Sequence, residues 1–275
     1  MKLSPVVGLT LAVIPCLYYL PTARHAAIRV SSDLRDAPND IPSSDLNSSA
    51  AQSLIDTAHQ ESEAAAAAHK STVSSPSERP ASCPDGAQSA RSDELQKLSN
   101  EDQADRQGSF DSIDWSVVGP RDKARRARVA AIAAEGCLAG ARDYAAAALV
   151  YQHGDTADDY FHAFTYFKKA VDLGDASQKP MLAKGADRYL VSLGYKQLFA
   201  TQASRPSMSP SDCWCLQPVA QGMTEEARAQ YAERTLKEAF AWVDALNDQL
   251  PQCRPAKYCA TELKEPPKGA LPGLW

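Results

Sequence analysis

Residues 141–194 read ARDYAAAALVYQHGDTADDYFHAFTYFKKAVDLGDASQKPMLAKGADRYLVSLG, and the periodicity of this stretch decides the fold. Tyr160, Ala163, Phe164, Phe167, Ala170 and Val171 recur every three or four positions, so a helix places them on one stripe with Lys168 and Lys169 facing away. Leu182, Ala186, Tyr189, Leu190 and Leu193 repeat the pattern. Gly136, Gly154, Gly174 and Gly194 each follow such a stretch, where a left-handed residue ends a helix. The spacing therefore predicts helices over Pro120–Glu135, Arg142–His153, Ala157–Leu173 and Gln178–Leu193, with Thr156 and Ser177 as N-caps of the last two. Ala145 to Val150 is apolar all round and marks the second helix as the most buried. A fifth helix starts at Thr224, with Glu225 and Glu226 in its first turn. Its face runs through Leu236, Phe240, Val243, Leu246 or Asn247, and Leu250. No segment alternates as a strand should, so the class is all-α: a compact helical bundle of about five helices over residues 115–250.

Outside that region the composition changes. Residues 24–114 are rich in Ser, Ala, Asp, Glu and Pro and poor in large apolar side chains, which predicts a disordered acidic tether. Glu63 to His69 and Asp93 to Arg106 have helical composition but no apolar face to hold a helix. Residues 251–275 read as a Pro-rich C-terminal tail. The formal net charge of −5 conceals an asymmetry, with 8 basic against 16 acidic residues from Arg24 to Gly119 and 20 against 18 from Pro120 onward. Neither part carries the one-sided positive field that nucleic acid requires. The basic run Arg121, Lys123, Arg125, Arg126 and Arg128 reads as a solvated helix face rather than a phosphate patch.

Residues 1–23 begin with Lys2 and an apolar run from Leu3 to Leu20, the pattern of a signal peptide or an N-terminal membrane anchor. Ala23 is a cleavage candidate, but Pro21 stands where a small residue is wanted, and the uncleaved run would make ~27 Å of helix against the ~30 Å of a bilayer core. Both outcomes stay open, and Pro15 directly before Cys16 does not suit a lipoprotein signal. The expected location is secreted or periplasmic. Beyond Cys16 lie six cysteines, Cys83, Cys137, Cys213, Cys215, Cys253 and Cys259, an even number that points to disulfides in an oxidising compartment. We expect Cys213 and Cys215 to pair with Cys253 and Cys259, stapling both ends of the last helix. Their spacing lacks the C-x2-C of zinc sites, and no histidine lies at metal-ligand spacing, so no metal and no cofactor is expected.

Several polar motifs recur in a fixed order: Gln152-His153-Gly154, then Asp187-Arg188, then Gly194, Gln197, Phe199, Thr201 and Gln202. In this order they resemble an uncharacterised bacterial domain-of-unknown-function family, in which an apolar helix ends in Q-H-G, a helix carries D-R, and G-x-x-Q-x-[YF]-G-T-Q follows. Ala200 stands where that family has glycine. The similarity continues through Trp214 and Thr224-Glu225-Glu226 with Arg228 and fades near Asn247. It implies kinship but no activity. Tyr166 to Gly174 also resembles Sel1 and tetratricopeptide repeats, yet no fixed period extends over three units, so a bundle with one repeat-like hairpin is expected rather than a solenoid.

The motif residues admit two readings. As scaffold, His153 completes a helix C-terminus, and Arg188, Gln197, Thr201 and Gln202 dock a polar loop onto the helices, with Asp187 pairing with Lys184. As chemistry, His153 is a general acid or base oriented by Asp187 or Gln152, with Arg188 and Gln202 in the same cleft. Thus His153 and Asp187 are the catalytic candidates, and Gln152, Arg188, Gln197, Thr201 and Gln202 the binding candidates. No metalloprotease, phosphate-loop or nucleophile-elbow motif is present. The leading expectation is a non-catalytic module that binds an envelope protein or peptide, touches no nucleic acid and meets the membrane only through its N-terminal segment. The rival is a small hydrolase-like or ligand-binding enzyme.

Overall fold

The computed structural model describes residues 82–275 apart from 109–111, 208, 210, 249 and 251, so the N-terminal segment and most of the tether lie outside the described residues. Seven α-helices order the described chain: α1 (Gln88–Ala104), α2 (Trp115–Ala134), α3 (Ala141–Gln152), α4 (Ala157–Asp172), α5 (Lys179–Ser192), α6 (Glu225–Ala232) and α7 (Leu236–Asn247). The protein is all-α, with one two-residue antiparallel pair, β1 (Ala203–Ser204) and β2 (Cys215–Leu216), in the loop between α5 and α6.

Local chemistry explains the helix ends. Thr156 accepts from the Asp159 amide while the Asp159 carboxylate accepts from the Thr156 amide, a reciprocal cap that starts α4. Gly154 is pressed against this cap, since a Cβ there would meet the Asp159 side chain at 2.2 Å. The helix α2 begins at Trp115, earlier than the expected Pro120, because the Asp114 side chain accepts from the Ser116 amide and caps it there. At α5, Ser177 is not the N-cap. Asp175 caps a short 3-10 turn, Ala176–Gln178, and Pro180 sits in the first turn of α5. The expected single helix from Thr224 to Leu250 is two helices, because Glu233 takes a left-handed backbone at φ 56° and Thr235 then caps α7.

The helix α3 is central, as its all-round apolar sequence predicts. It packs on α4 most extensively and also on α1 and α2. Ala146, Ala147, Ala148 and Val150 join Phe164 and Phe167 of α4 and Leu182, Ala183, Ala186 and Leu190 of α5 in one core. Each buried Phe or Leu contributes roughly 1.5–3 kcal/mol. A second, smaller core gathers Ala200, Ala203, Trp214 and Leu216 under Ala239 and Val243 of α7.

Two boundaries differ from the sequence reading. Ordered structure is already present ahead of residue 115, because α1 forms within the stretch read as tether. The disulfide Cys83–Cys137 holds it, and Leu95 of α1 is fully buried in the main core. At the other end, residues 251–275 are not a free tail. Leu271 enters the main core, Lys264 bonds Gly194 and Lys196 main chain, and the Cys259 amide donates to Leu216. The disulfides Cys213–Cys253 and Cys215–Cys259 carry this segment, as the expected pairing required. They join the chain before α6 to the chain after α7, so the staple expected across one last helix spans α6 and α7 together.

Candidate functional site

Gln152, His153 and Gly154 end α3, where the carbonyls of the last turn have no partner within the helix. Three neighbouring elements supply those partners. Arg188 of α5 donates from Nη1 to the Gln152 carbonyl at 2.5 Å, Arg126 of α2 donates to the His153 carbonyl at 2.9 Å, and the Tyr160 hydroxyl of α4 donates to the Gly154 carbonyl at 2.9 Å. Two guanidinium groups therefore sit at the negative end of the α3 dipole, the favourable sign. Arg188 also lies over the Tyr160 ring, 5.3 Å from its centroid, a favourable cation–π contact. The Q-H-G and D-R motifs meet at this junction of α2, α3, α4 and α5.

The partner of His153 is neither Asp187 nor Gln152. Its Nδ1 lies 2.7 Å from the Asp102 carboxylate of α1. The Gln152 side-chain amide is fully buried and makes no hydrogen bond among the described residues, so it does not orient the ring. Burial pushes the Asp102 carboxyl up, but the His153 ring and the Arg106 guanidinium outweigh it and hold the group below the usual carboxylate range. Sequence reasoning missed Asp102 because it lies in the acidic stretch read as tether; the i,i+4 spacing of Asp102 and Arg106 was the available signal.

The same acidic stretch partners Arg121, Arg125 and Arg128 of the basic run of α2, while Arg126 pairs with Asp155 and Asp159 and Lys123 is exposed, so only part of the run is a solvated face. Arg128 meets Glu94, Arg121 and Arg125 meet Asp105, Arg125 also meets Asp122, and Arg106 bridges Asp102 and Asp122. Arg125 and Arg126 are buried. The acidic excess of the N-terminal part is thus spent, in part, on a cationic helix further along the chain.

Asp187 faces away from His153. Its carboxylate accepts from the amides of Leu198 at 2.7 Å, Phe199 at 3.0 Å and Thr201 at 3.0 Å, and from the Thr201 hydroxyl at 2.8 Å. Complete burial pushes this carboxyl up to about 6, against the four donors that pull it down. Lys184 is therefore not its partner. Gln197 then ties the loop to itself: its amide nitrogen donates to the Gln202 and Gln217 carbonyls, and its oxygen accepts from the Gln202 amide. Gln202 in turn donates to the Lys184 carbonyl and to Thr201. Arg228 of α6 donates to the Leu198 carbonyl at 2.9 Å. The loop turns at Ala200, whose φ of 59° is the left-handed geometry that glycine adopts freely.

The candidates thus divide into two groups on the two sides of α5. His153, Gln152 and Arg188 belong to the α3 C-terminus, whereas Asp187, Gln197, Thr201 and Gln202 build the loop after α5. The catalytic grouping of His153 with Asp187 does not form. Among the described residues no cluster of three His, Cys, Asp or Glu could hold a metal, and the six described cysteines are all in disulfides. Three disulfides on a helical unit define the class: a disulfide-stapled all-helical domain of an oxidising environment. No family model, curated protein or solved structure matches the chain.

One further feature faces outward. Tyr144 and Tyr151 of α3 and His162 and Tyr166 of α4 form a continuous aromatic cluster, with ring centroids 4.8–5.8 Å apart. His162 is exposed and Tyr144 and Tyr166 are half-buried. Burial, with the two neighbouring phenols, pushes the Tyr166 hydroxyl up to about 12, so it stays a neutral donor.

Proposed function

We propose that this protein is a non-catalytic helical binding module of the cell envelope, exported by its N-terminal apolar segment and recognising a protein or peptide partner. The observation that carries the reading is the use made of the polar motif. Arg188 and Gln202 donate to main-chain carbonyls of helices, Asp187 accepts main-chain amides of the loop after α5 together with the Thr201 hydroxyl, and Gln197 ties that loop's own main chain, which is scaffold chemistry. The three disulfides agree with a periplasmic or extracellular location, either released by cleavage or held by the N-terminal segment. Kinship with the uncharacterised bacterial family of the Q-H-G and D-R motifs belongs to the same reading.

The surface best suited to a partner is the aromatic face of α3 and α4. Tyrosine rings offer a large rigid apolar area with a polar tip, the residue type that dominates interface hot spots. Tyr144 and Tyr166 lie on that face without side-chain hydrogen bonds among the described residues. The rival reading rests on the His153–Asp102 pair, which has the form of a base and its orienting carboxylate. Both groups are closed off, with residue exposures of 7% and 0%, so a substrate has no route to them in this arrangement.

The test uses the oxidised full chain immobilised on resin, with Tyr144→Ser/Tyr166→Ser as the comparison. A discrete envelope component retained by the wild type and lost from the double variant, at equal melting temperature, is the expected result. Equal retention by both chains, or none by either, overturns the assignment of this face.

A further inference from the structure

Charged side chains that leave water are normally paired, because an unpaired buried charge loses hydration without compensation. The described arginines follow this rule with one exception. Arg91, Arg106, Arg125, Arg126, Arg128, Arg188, Arg205 and Arg228 are buried or half-buried, and each meets a carboxylate or a carbonyl. Arg234, between α6 and α7, is also half-buried and makes neither a hydrogen bond nor an ion pair among the described residues. Its guanidinium lies over the Trp242 ring, 4.9 Å from the centroid. The indole N–H of Trp242 is itself buried without an acceptor.

The surrounding acids do not neutralise it. Glu238, one turn into α7, spends its carboxylate on the Thr235 amide at 2.7 Å and hydroxyl at 2.8 Å. Glu225 accepts from the Leu236 amide and pairs with Arg228. Glu233 is exposed, and it and Glu238 attract the Arg234 charge without bonding it. Burial pulls the Arg234 pKa down, in keeping with a charge that lacks a close counterion. What results is a cation lying over an aromatic ring with no described acceptor for its N–H donors. A guanidinium over a ring face keeps its N–H donors available, and the matching partner for that fork is a carboxylate taken two-pronged.

We propose that Arg234, positioned by Trp242, is a binding site for a carboxylate, supplied by the C-terminus of a peptide, by an acidic side chain or by a small organic acid. The proposal stands apart from the aromatic face of α3 and α4 and holds or fails without it.

The experiment follows the indole 1H–15N resonance of Trp242 in the oxidised full chain, assigned by its loss in Trp242→Phe. Four probes are titrated at constant ionic strength: acetate, acetyl-triglycine with a free C-terminus, acetyl-Gly-Asp-Gly-amide and acetyl-tetraglycine amide. A saturable shift with the carboxylates and none with the neutral amide is expected. Whichever carboxylate binds tightest identifies the source. Arg234→Gln should weaken that binding about tenfold or more, and Arg234→Lys, which keeps the charge but not the fork, should fall between the two. Glu233→Gln should strengthen it about two- to threefold by removing a competing charge. The proposal is overturned if the shift is absent, if the neutral amide produces it equally, or if it survives Arg234→Gln in a chain of unchanged melting temperature.

Discussion

Asp187 sets burial against hydrogen bonding, and the two predict different pH behaviour. The substitution Asp187→Asn keeps the shape of the side chain and removes its titration. With the folded carboxyl at about 6 and an unfolded value near ~3.9, the folded state binds the proton more tightly. The stability this confers is fully present below the unfolded pKa and is lost as pH rises through 6. Between pH 5 and pH 7 the wild type should therefore lose about 1 kcal/mol through this group alone. The asparagine variant lacks that dependence. It also turns an amide NH2 toward the Thr201 N–H, which costs ~1–3 kcal/mol for the donor left unmet. Its destabilisation relative to wild type should thus be larger at pH 5 than at pH 7, by about 1 kcal/mol. Equilibrium denaturation of the oxidised chain at both pH values, followed by tryptophan fluorescence, measures the difference. An identical gap at the two pH values would refute the reasoning. It would mean that the four donors overcome burial and that Asp187 stays ionised throughout.

Other outcomes follow from the same contacts. Asp102, Asp105 and Glu94 are held below the usual carboxylate range, so stability drawn from docking α1 is present above ~4 and should be lost on acidification below it, as a melt series from pH 5 to pH 2.5 will show. His153→Ala breaks a pair whose side chains are 4% and 0% exposed and should cost about 3 kcal/mol; an unchanged melting temperature would return His153 to the list of functional candidates. Removing the Cys83–Cys137 bridge, which closes 54 residues, should cost ~4 kcal/mol in the chain-entropy limit, and hydrogen exchange should show the α1 amides losing protection first. Glu233→Gly relieves a left-handed backbone at an exposed position and should stabilise the chain by ~0.5–1 kcal/mol in denaturant unfolding.

The amino-acid sequence by itself determined the helices of residues 141–194, because an amphipathic stripe and a terminal glycine are local signals that survive in any context. It also indicated the oxidising compartment, from an even number of cysteines. Only the tertiary structure decided what the polar residues are for. Asp102 and His153 are 51 positions apart, and Arg126 and Arg188 reach carbonyls on a third helix, so no spacing rule joins them. The helix α1 illustrates the same limit. Its sequence has almost no apolar face, and it is held by burial of Leu95 in the main core, the disulfide to Cys137 and ion pairs to α2, whose partners all come from across the fold. Local composition reports what a segment can bury on its own. Whether a charged segment folds depends on the charges that the rest of the chain brings to meet it.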